Sequence, residues 1–353
     1  MNKILEHFGL TKPLQPMFEK LKDRTLTLDA DGLMYEASAN SAHLETAIRR
    51  GRKAVLEKQY LTGCSFVRAH LTARGSTKAG RKLLNGAGGR YQEQRSAGVK
   101  PPLLEPLREA MLRPGVFGED DGVSMFLHRD IEADDAMMMD SYSIPNVLVY
   151  SPDKDLRIAP ADWFDPKTGR IDHIKDRYGW VRYDPGEGKL VGHGTAFFWG
   201  QMLMGDSADH VKGLLHKPRR GPYGPLRNAA PDCPVCKGTG YLPPHTRGGP
   251  KCECLRPMLN DDVGAVLAGE ILTDLPDENA AANAVIELYR TIGQNPLPEA
   301  GMLWLLRSKE DTAEGYIWSL GLSKQNREFI LDCFNTEYRT VPDDEDEEMY
   351  PAD

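Results

Sequence analysis

Seven carboxylates fall in three short clusters in the middle third of the chain: Glu132, Asp134 and Asp135; Asp153 and Asp155; Asp206 and Asp209. Carboxylates repel one another, so a fold that gathers them does so most readily around divalent cations, which take oxygen ligands. An eighth acid, Asp29, follows the β-branched alternation of Thr25 to Leu28. Two ions about 4 Å apart clamp the attacking and leaving oxygens of an in-line displacement at phosphorus, so the chemistry expected of such a set is metal-dependent phosphoryl transfer. Taken singly, each pair also reads as ordinary structure: Asp134 as a helix cap beside Glu132, Asp153 to Asp155 as a turn.

A second potential metal site is sulfur-based. Of six cysteines, Cys64 and Cys333 stand alone, whereas Cys233-Pro-Val-Cys236-Lys-Gly-Thr-Gly240 is followed by Cys252-Glu-Cys254. In a reducing compartment that grouping favours a metal over disulfides, and structural zinc is the expected occupant, with iron–sulfur ligation and reactive thiols as lesser alternatives. The first half resembles the CxxCxGxG knuckles of the zinc region in J-domain co-chaperones. Arg219, Arg220, Arg227, Lys237, Arg247 and Lys251 surround the cysteines. They suit a zinc knuckle that extends a contact with duplex phosphates, and equally a structural pin with incidental charge.

Positioning these residues requires a scaffold, and composition permits one: 353 residues, 40% of them hydrophobic and 27% charged, can bury a full core. Strands are expected at Thr25–Leu28, Ser65–Leu71, Val123–Leu127, Asn146–Tyr150 and Leu156–Ala159. A leading helix is expected in residues 1–22, another running to about Leu61, and others at Val263–Leu272 and Ala280–Ile292. Strands alternating with helices imply an α/β core with a mainly parallel sheet, whose strand C-termini gather ligands. The expected organisation is an α/β core over 1–196 with a basic segment around 68–113. A mostly helical region follows over 197–340, with the cysteine insertion at 215–262, and then an acidic, disordered tail over 341–353.

The net charge of -8 is unevenly spread. Residues 340–353 hold seven acids and no Lys or Arg, which leaves the rest of the chain near -1. Arg49 to Arg113 carries fifteen basic residues against four acids, and Lys212 to Arg256 nine against two. Two basic regions flanking an acidic middle suit a polyanion held electrostatically while metals act at its centre. No run of eighteen apolar residues and no signal-peptide pattern is present, so a cytoplasmic protein with no membrane partner is expected.

In order, Leu28-Asp29-Ala30-Asp31-Gly32-Leu33, Ile131-Glu132-Ala133-Asp134-Asp135, Ser151-Pro152-Asp153-Lys154-Asp155-Leu156 and Met204-Gly205-Asp206-Ser207-Ala208-Asp209-His210-Val211-Lys212-Gly213-Leu214 resemble motifs of the 5′→3′ exonuclease and flap endonuclease family in its bacteriophage form. The resemblance implies a PIN-like nuclease core with a helix-three-turn-helix element. It also implies two magnesium or manganese ions held by Asp29, Glu132, Asp134, Asp135, Asp153, Asp155, Asp206 and Asp209. The implied partner is DNA, a duplex with a 5′ end or flap, or an RNA:DNA hybrid carrying a primer. The turn with Gly205, Ser207, Lys212 and Gly213 would present backbone amides to phosphates and bind potassium through its carbonyls. The basic stretch Arg68 to Lys100 corresponds to the family's helical arch, with Tyr91 for base stacking and Arg95 for phosphate.

Two departures stand out. The family's acid after the second strand is absent from Thr72-Ala73-Arg74, and the lysine after the tyrosine is Gln92. Arg81, Lys82 and Arg90 are candidate substitutes for the lost cation. The missing acid also admits a catalytically reduced DNA-binding or replication-scaffold protein, and the acidic sheet admits a PIN-like ribonuclease.

Overall fold

The computed structural model describes residues 21–93, 100–166, 168–215, 220–221, 224–225, 227–228, 233–244, 249–254, 256–257 and 263–336. The expected leading helix up to residue 20, Arg95, Arg219, Arg247 and the acidic tail lie outside them. Two compact units interleave along the sequence: 1–79, 98–176 and 305–309 form the first, and 80–97, 177–304 and 310–353 the second.

In the first unit, strand β1 (Leu21–Asp29) leads into helices α1 (Asp31–Ala39) and α2 (Leu44–Thr62) and then β2 (Cys64–Thr72). Helix α3 (Leu104–Met111), β3 (Val123–His128), α4 (Ala133–Ser143), β4 (Val147–Tyr150), β5 (Asp162–Asp165) and β6 (Arg170–His173) follow. The sheet order is β3-β2-β1-β4-β5-β6, parallel throughout except for the antiparallel β5–β6 pair at the edge. This is the mainly parallel, helix-flanked sheet expected from the alternation of elements. Leu26, Thr27 and Leu28 are all buried, as a central strand covered on both faces requires. Ala47, Gly51 and Val55, one helical turn apart, form the buried stripe of α2.

Three local expectations need correction. The helix expected to run to Leu61 is two helices, because Asn40 Nδ2 and Ser41 Oγ donate to the carbonyls of Glu36 and Ala37 (3.0 and 2.7 Å) and end α1. The strand expected at Leu156–Ala159 is a 3₁₀ turn over Asp155–Ile158. There, Ser151 Oγ accepts from the Asp153 amide and Asp153 Oδ1 from the Asp155 amide, which curls the chain before it can extend. Finally, the segment likened to a helical arch holds no α-helix where it is described. Arg68 sits inside β2; beyond it come a 3₁₀ turn (Lys78–Leu83) and a short ladder pairing Asn85–Gly86 with Gly89–Arg90. Gly75, Gly80 and Gly89 all hold positive φ there, a conformation that breaks α-helix.

The second unit is mostly helical: α5 (Thr195–Met204), α6 (Ala265–Leu272), α7 (Glu278–Ile292), α8 (Leu297–Leu303), α9 (Ala313–Ser319) and α10 (Lys324–Phe334). Its aromatic centre stacks Trp304 on Tyr316 at 4.1 Å and sets Phe198 edge-on to Trp304 at 4.9 Å. A hairpin of β7 (Trp180–Asp184) and β8 (Lys189–His193) was not anticipated. Its signal was present in the alternation of buried Val181 and Leu190 with polar neighbours around Asp-Pro-Gly-Glu-Gly.

Candidate functional site

The C-terminal ends of the parallel strands carry the first three acidic motifs. Asp29 is the last residue of β1, and its Oδ1 accepts the Asp31 amide at 2.9 Å. Asp31 in turn accepts the Thr72 amide at the end of β2 (3.1 and 3.2 Å) and the Arg108 guanidinium (2.7 Å). Glu132 caps α4, where Asp135 Oδ2 accepts the Glu132 amide (3.0 Å) and Asp135 Oδ1 accepts the Leu306 amide (3.0 Å). Thr72 Oγ1 accepts the Ala133 amide at 3.0 Å, which ties the start of α4 to β2. Lys78 Nζ donates to Glu132 Oε1 at 2.8 Å.

Five of the eight expected acids therefore act on one another. Burial, aided by the charges of Asp31 and Asp153, pushes the Asp29 carboxyl up to about 7, although the Asp31 amide and Arg108 oppose the shift. Burial, with the charges of Asp29, Asp153, Glu132 and Asp135, pushes Asp134 well above the ordinary carboxylate range. Asp134 Oδ1 is buried with no hydrogen-bond partner. Leaving a charged oxygen in that state costs on the order of several kcal/mol, so the site favours a cation or a proton at Asp134. Asp153 belongs to this group, while Asp155 accepts Lys154 Nζ at 3.0 Å.

A buried polar network anchors α4 behind these acids. Asp140 Oδ2 accepts from Thr27 Oγ1 (3.0 Å) and Arg68 Nε (2.8 Å), and pairs with His70 Nε2 (2.9 Å); His70 Nδ1 meets His128 Nε2 at 2.9 Å. Burial alone would raise the Asp140 carboxyl, yet the bonds from His70 and Arg68 hold it below its ordinary value. Burial and the neighbouring His70 lower His128 to about 4. Arg108, Lys78 and Asp140 stand in none of the acidic motifs, and Asp31, inside the first motif, is not among the acids expected as ligands. Lys78 is placed by positive φ at Lys78, Ala79 and Gly80, a backbone path that no motif announces.

In the second unit, Gly205 and Gly213 bracket a tight turn closed by reciprocal amide–carbonyl bonds between Asp206 and Val211 (2.8 Å each). Both glycines have positive φ, and a Cβ on Gly205 would lie 2.3 Å from the Val211 carbonyl oxygen, so only glycine fits. Asp206 Oδ1 accepts the Ala208 amide at 2.8 Å, and Gln294 brackets the exit by donating to the Gly213 carbonyl (2.8 Å) and accepting the Leu215 amide (3.0 Å). Ser207 and Lys212 are exposed on this turn.

Other expected contacts are used differently. Asp209 accepts from Gln92 Nε2 at 2.7 Å and Tyr91 Oη at 3.3 Å, and its carbonyl accepts the Gln92 amide. Tyr91 is 7% exposed, so its ring is packed rather than offered to a base. The buried Arg81 donates to the Trp304 carbonyl inside the second unit. Lys82 and Arg90 are half-buried, and Arg95 lies outside the described residues.

Among the described residues, the group of three or more possible ligands drawn close enough for one ion is Cys233, Cys236, Cys252 and Cys254, whose sulfurs lie within 4.8 Å of one another. The amides of Cys236 and Val235 donate to the Cys233 sulfur and lower its thiol to about 6. No helix among the described residues is long and apolar enough to cross a membrane.

No family model and no curated protein matches this chain. Among solved structures it is similar to the bacteriophage T5 D15 protein co-crystallised with metal ions, at 15% identity over 54% of this chain and 69% of that one, with a TM-score of 0.36. It is also similar to the bacteriophage T5 D15 flap endonuclease in a pseudo-enzyme–product complex with DNA and metal ions, at 13% identity over 88% and 98% of the two chains, with a TM-score of 0.44.

Proposed function

We propose that this chain is a metal-dependent phosphodiesterase acting on DNA at or near a 5′ end, as a 5′→3′ exonuclease or flap endonuclease, with two magnesium or manganese ions as cofactors. The observation that supports the proposal is that the charges of Asp29, Glu132, Asp135 and Asp153, near the C-terminal ends of parallel strands, all bear on Asp134, one of whose buried oxygens has no hydrogen-bond partner. Oxygen-only donors and carboxyls pushed toward neutrality fit a hard divalent cation. When bound, such ions supply an activated water and stabilise the leaving 3′ oxygen.

The chain's own side chains do the positioning. Arg108 fixes Asp31, and Asp31 joins the ends of β1 and β2; Lys78 orients Glu132. Lys78 also places a cation beside Glu132. On the Gly205–Gly213 turn, Ser207 and Lys212 suit sequence-independent contacts with phosphate, and its carbonyls suit potassium. Asp206 and Asp209 have turn-holding roles in this structure, and ligand roles for them rest on the family resemblance alone.

Purified protein should cleave 5′-labelled duplex or flap DNA only with magnesium or manganese, leaving a 5′ phosphate and a 3′ hydroxyl. Tight DNA binding with no cleavage under any divalent ion would instead support a DNA-binding scaffold that lacks the acid near Ala73. Cleavage confined to RNA would support the PIN-like ribonuclease.

A further inference from the structure

We infer that Cys233, Cys236, Cys252 and Cys254 bind a single zinc ion as a tetrahedral tetrathiolate, and that this ion pins together the turns that carry them. The inference does not depend on the nuclease reading, because the cysteines hold their arrangement within the second unit.

Sulfur geometry decides the kind of site. The Cys233 and Cys252 sulfurs are 3.8 Å apart, those of Cys236 and Cys254 3.3 Å apart, and all four lie within 4.8 Å. Four sulfurs held at about 2.3 Å from a tetrahedral ion are spaced about 3.8 Å apart along each edge. Two disulfides would draw the sulfurs into pairs at about 2.0 Å, and here all four cysteines are free. An iron–sulfur cluster would push the thiolates apart, because several irons and bridging sulfides must fit between them. The spacing suits one mononuclear centre, and zinc outcompetes ferrous iron for such a set of ligands.

The local backbone is shaped for this task. Lys237 and Gly238 take positive φ, and the Lys237 amide donates to the Cys233 carbonyl at 2.8 Å, so the turn folds its amides back toward the first thiolate. An isolated antiparallel bridge brings the remaining ligands across. Tyr241 pairs with Lys251, the Leu242 amide donates to Pro250 (2.8 Å), and the Cys252 amide donates to Gly240 (3.0 Å). Among the described residues, Cys233, Cys236 and Cys252 form a buried cluster with Leu242 and Cys254 packed against them. A zinc ion bound there would contribute folding energy directly to these turns.

Elemental analysis of the full chain, purified with no metal added, should give one zinc per chain and no acid-labile sulfide. Titrating the thiols with a mercurial should release that zinc. Cobalt exchange should give the intense visible bands of a tetrahedral thiolate site. Cys254→Ser should lose the zinc, while the isolated Cys333→Ser should keep it. The mercurial and cobalt readings use the unmodified protein, so they stand even where a variant fails to fold. A zinc-free chain whose mass is that of two disulfides, iron with stoichiometric sulfide, or weak octahedral cobalt bands would each overturn the inference.

Discussion

Asp134 is the sharpest probe of chemistry at the scale of single residues. Asp134→Asn removes the charge that the buried site cannot solvate, so it should lower cleavage by about 10²-fold or more while stabilising the metal-free fold. Asp135→Asn is a poorer test, since Asp135 also holds the Glu132 and Leu306 amides and its loss would fray the start of α4. The pH dependence follows from the sign of the shift. Asp29 titrates at 3.8 ordinarily and at about 7 in the fold, so the unfolded chain loses that proton first. Stability of the metal-free protein should therefore fall as pH rises between those values. Magnesium should raise the Tm more at about pH 8 than at about pH 5, because at the higher pH the cation relieves a charge that a proton no longer covers. Equal magnesium shifts at both pH values would take the carboxylates out of the metal site. The acids themselves were legible, because metal chemistry restricts both residue type and spacing. Arg108, Lys78 and Asp140 were not, because each is brought to the site by long-range packing.

The central element is α4, whose N-terminus presents the acids and whose next turns carry Asp140. Asp140→Ala leaves Arg68, His70 and Thr27 without their shared acceptor, at a cost of about 3–5 kcal/mol, and should loosen the acids at the helix start. A positioning role predicts that Asp140→Asn raises the magnesium concentration needed for cleavage as well as lowering the Tm; a fall in Tm alone would make the network purely structural. A second test concerns the Asn85–Arg90 segment. Its Ala87 amide donates to Glu299 Oε1 at 2.6 Å, while Glu299 Oε2 is buried and unpaired. Burial raises Glu299 from 4.5 to about 7, so its charge also costs stability as pH rises through that window. Glu299→Gln should raise the Tm above about pH 7 with no change in magnesium response, measured by thermal melts with and without EDTA. Long strands and amphipathic helices were legible at this scale because their periodicity is local. The 3₁₀ turn at Asp155–Ile158 was not, since side-chain oxygens of Ser151 and Asp153 override an apolar run that reads as a strand.

For the whole molecule, charge placement governs affinity for a polyanion. The acidic residues 341–353 lie outside the described residues, and a like-charge block of this kind is expected to compete with DNA for basic surface. Deleting them should strengthen DNA binding at low salt, with the gain shrinking toward about 0.2 M salt in fluorescence anisotropy titrations. Affinity unchanged at every salt concentration would make the tail a solvated or partner-binding extension instead. Lys212→Ala should weaken binding across all sequences and flatten the salt slope by up to about one unit, as expected for one phosphate contact. The proposed activity requires divalent ions at the acidic ends of β1, β4 and α4. The most direct measurement is anomalous scattering from crystals soaked in manganese. Manganese peaks within coordination distance of Asp29, Asp134 and Asp153 carboxylate oxygens are the predicted result, and ordered carboxylates with no manganese beside them would contradict it.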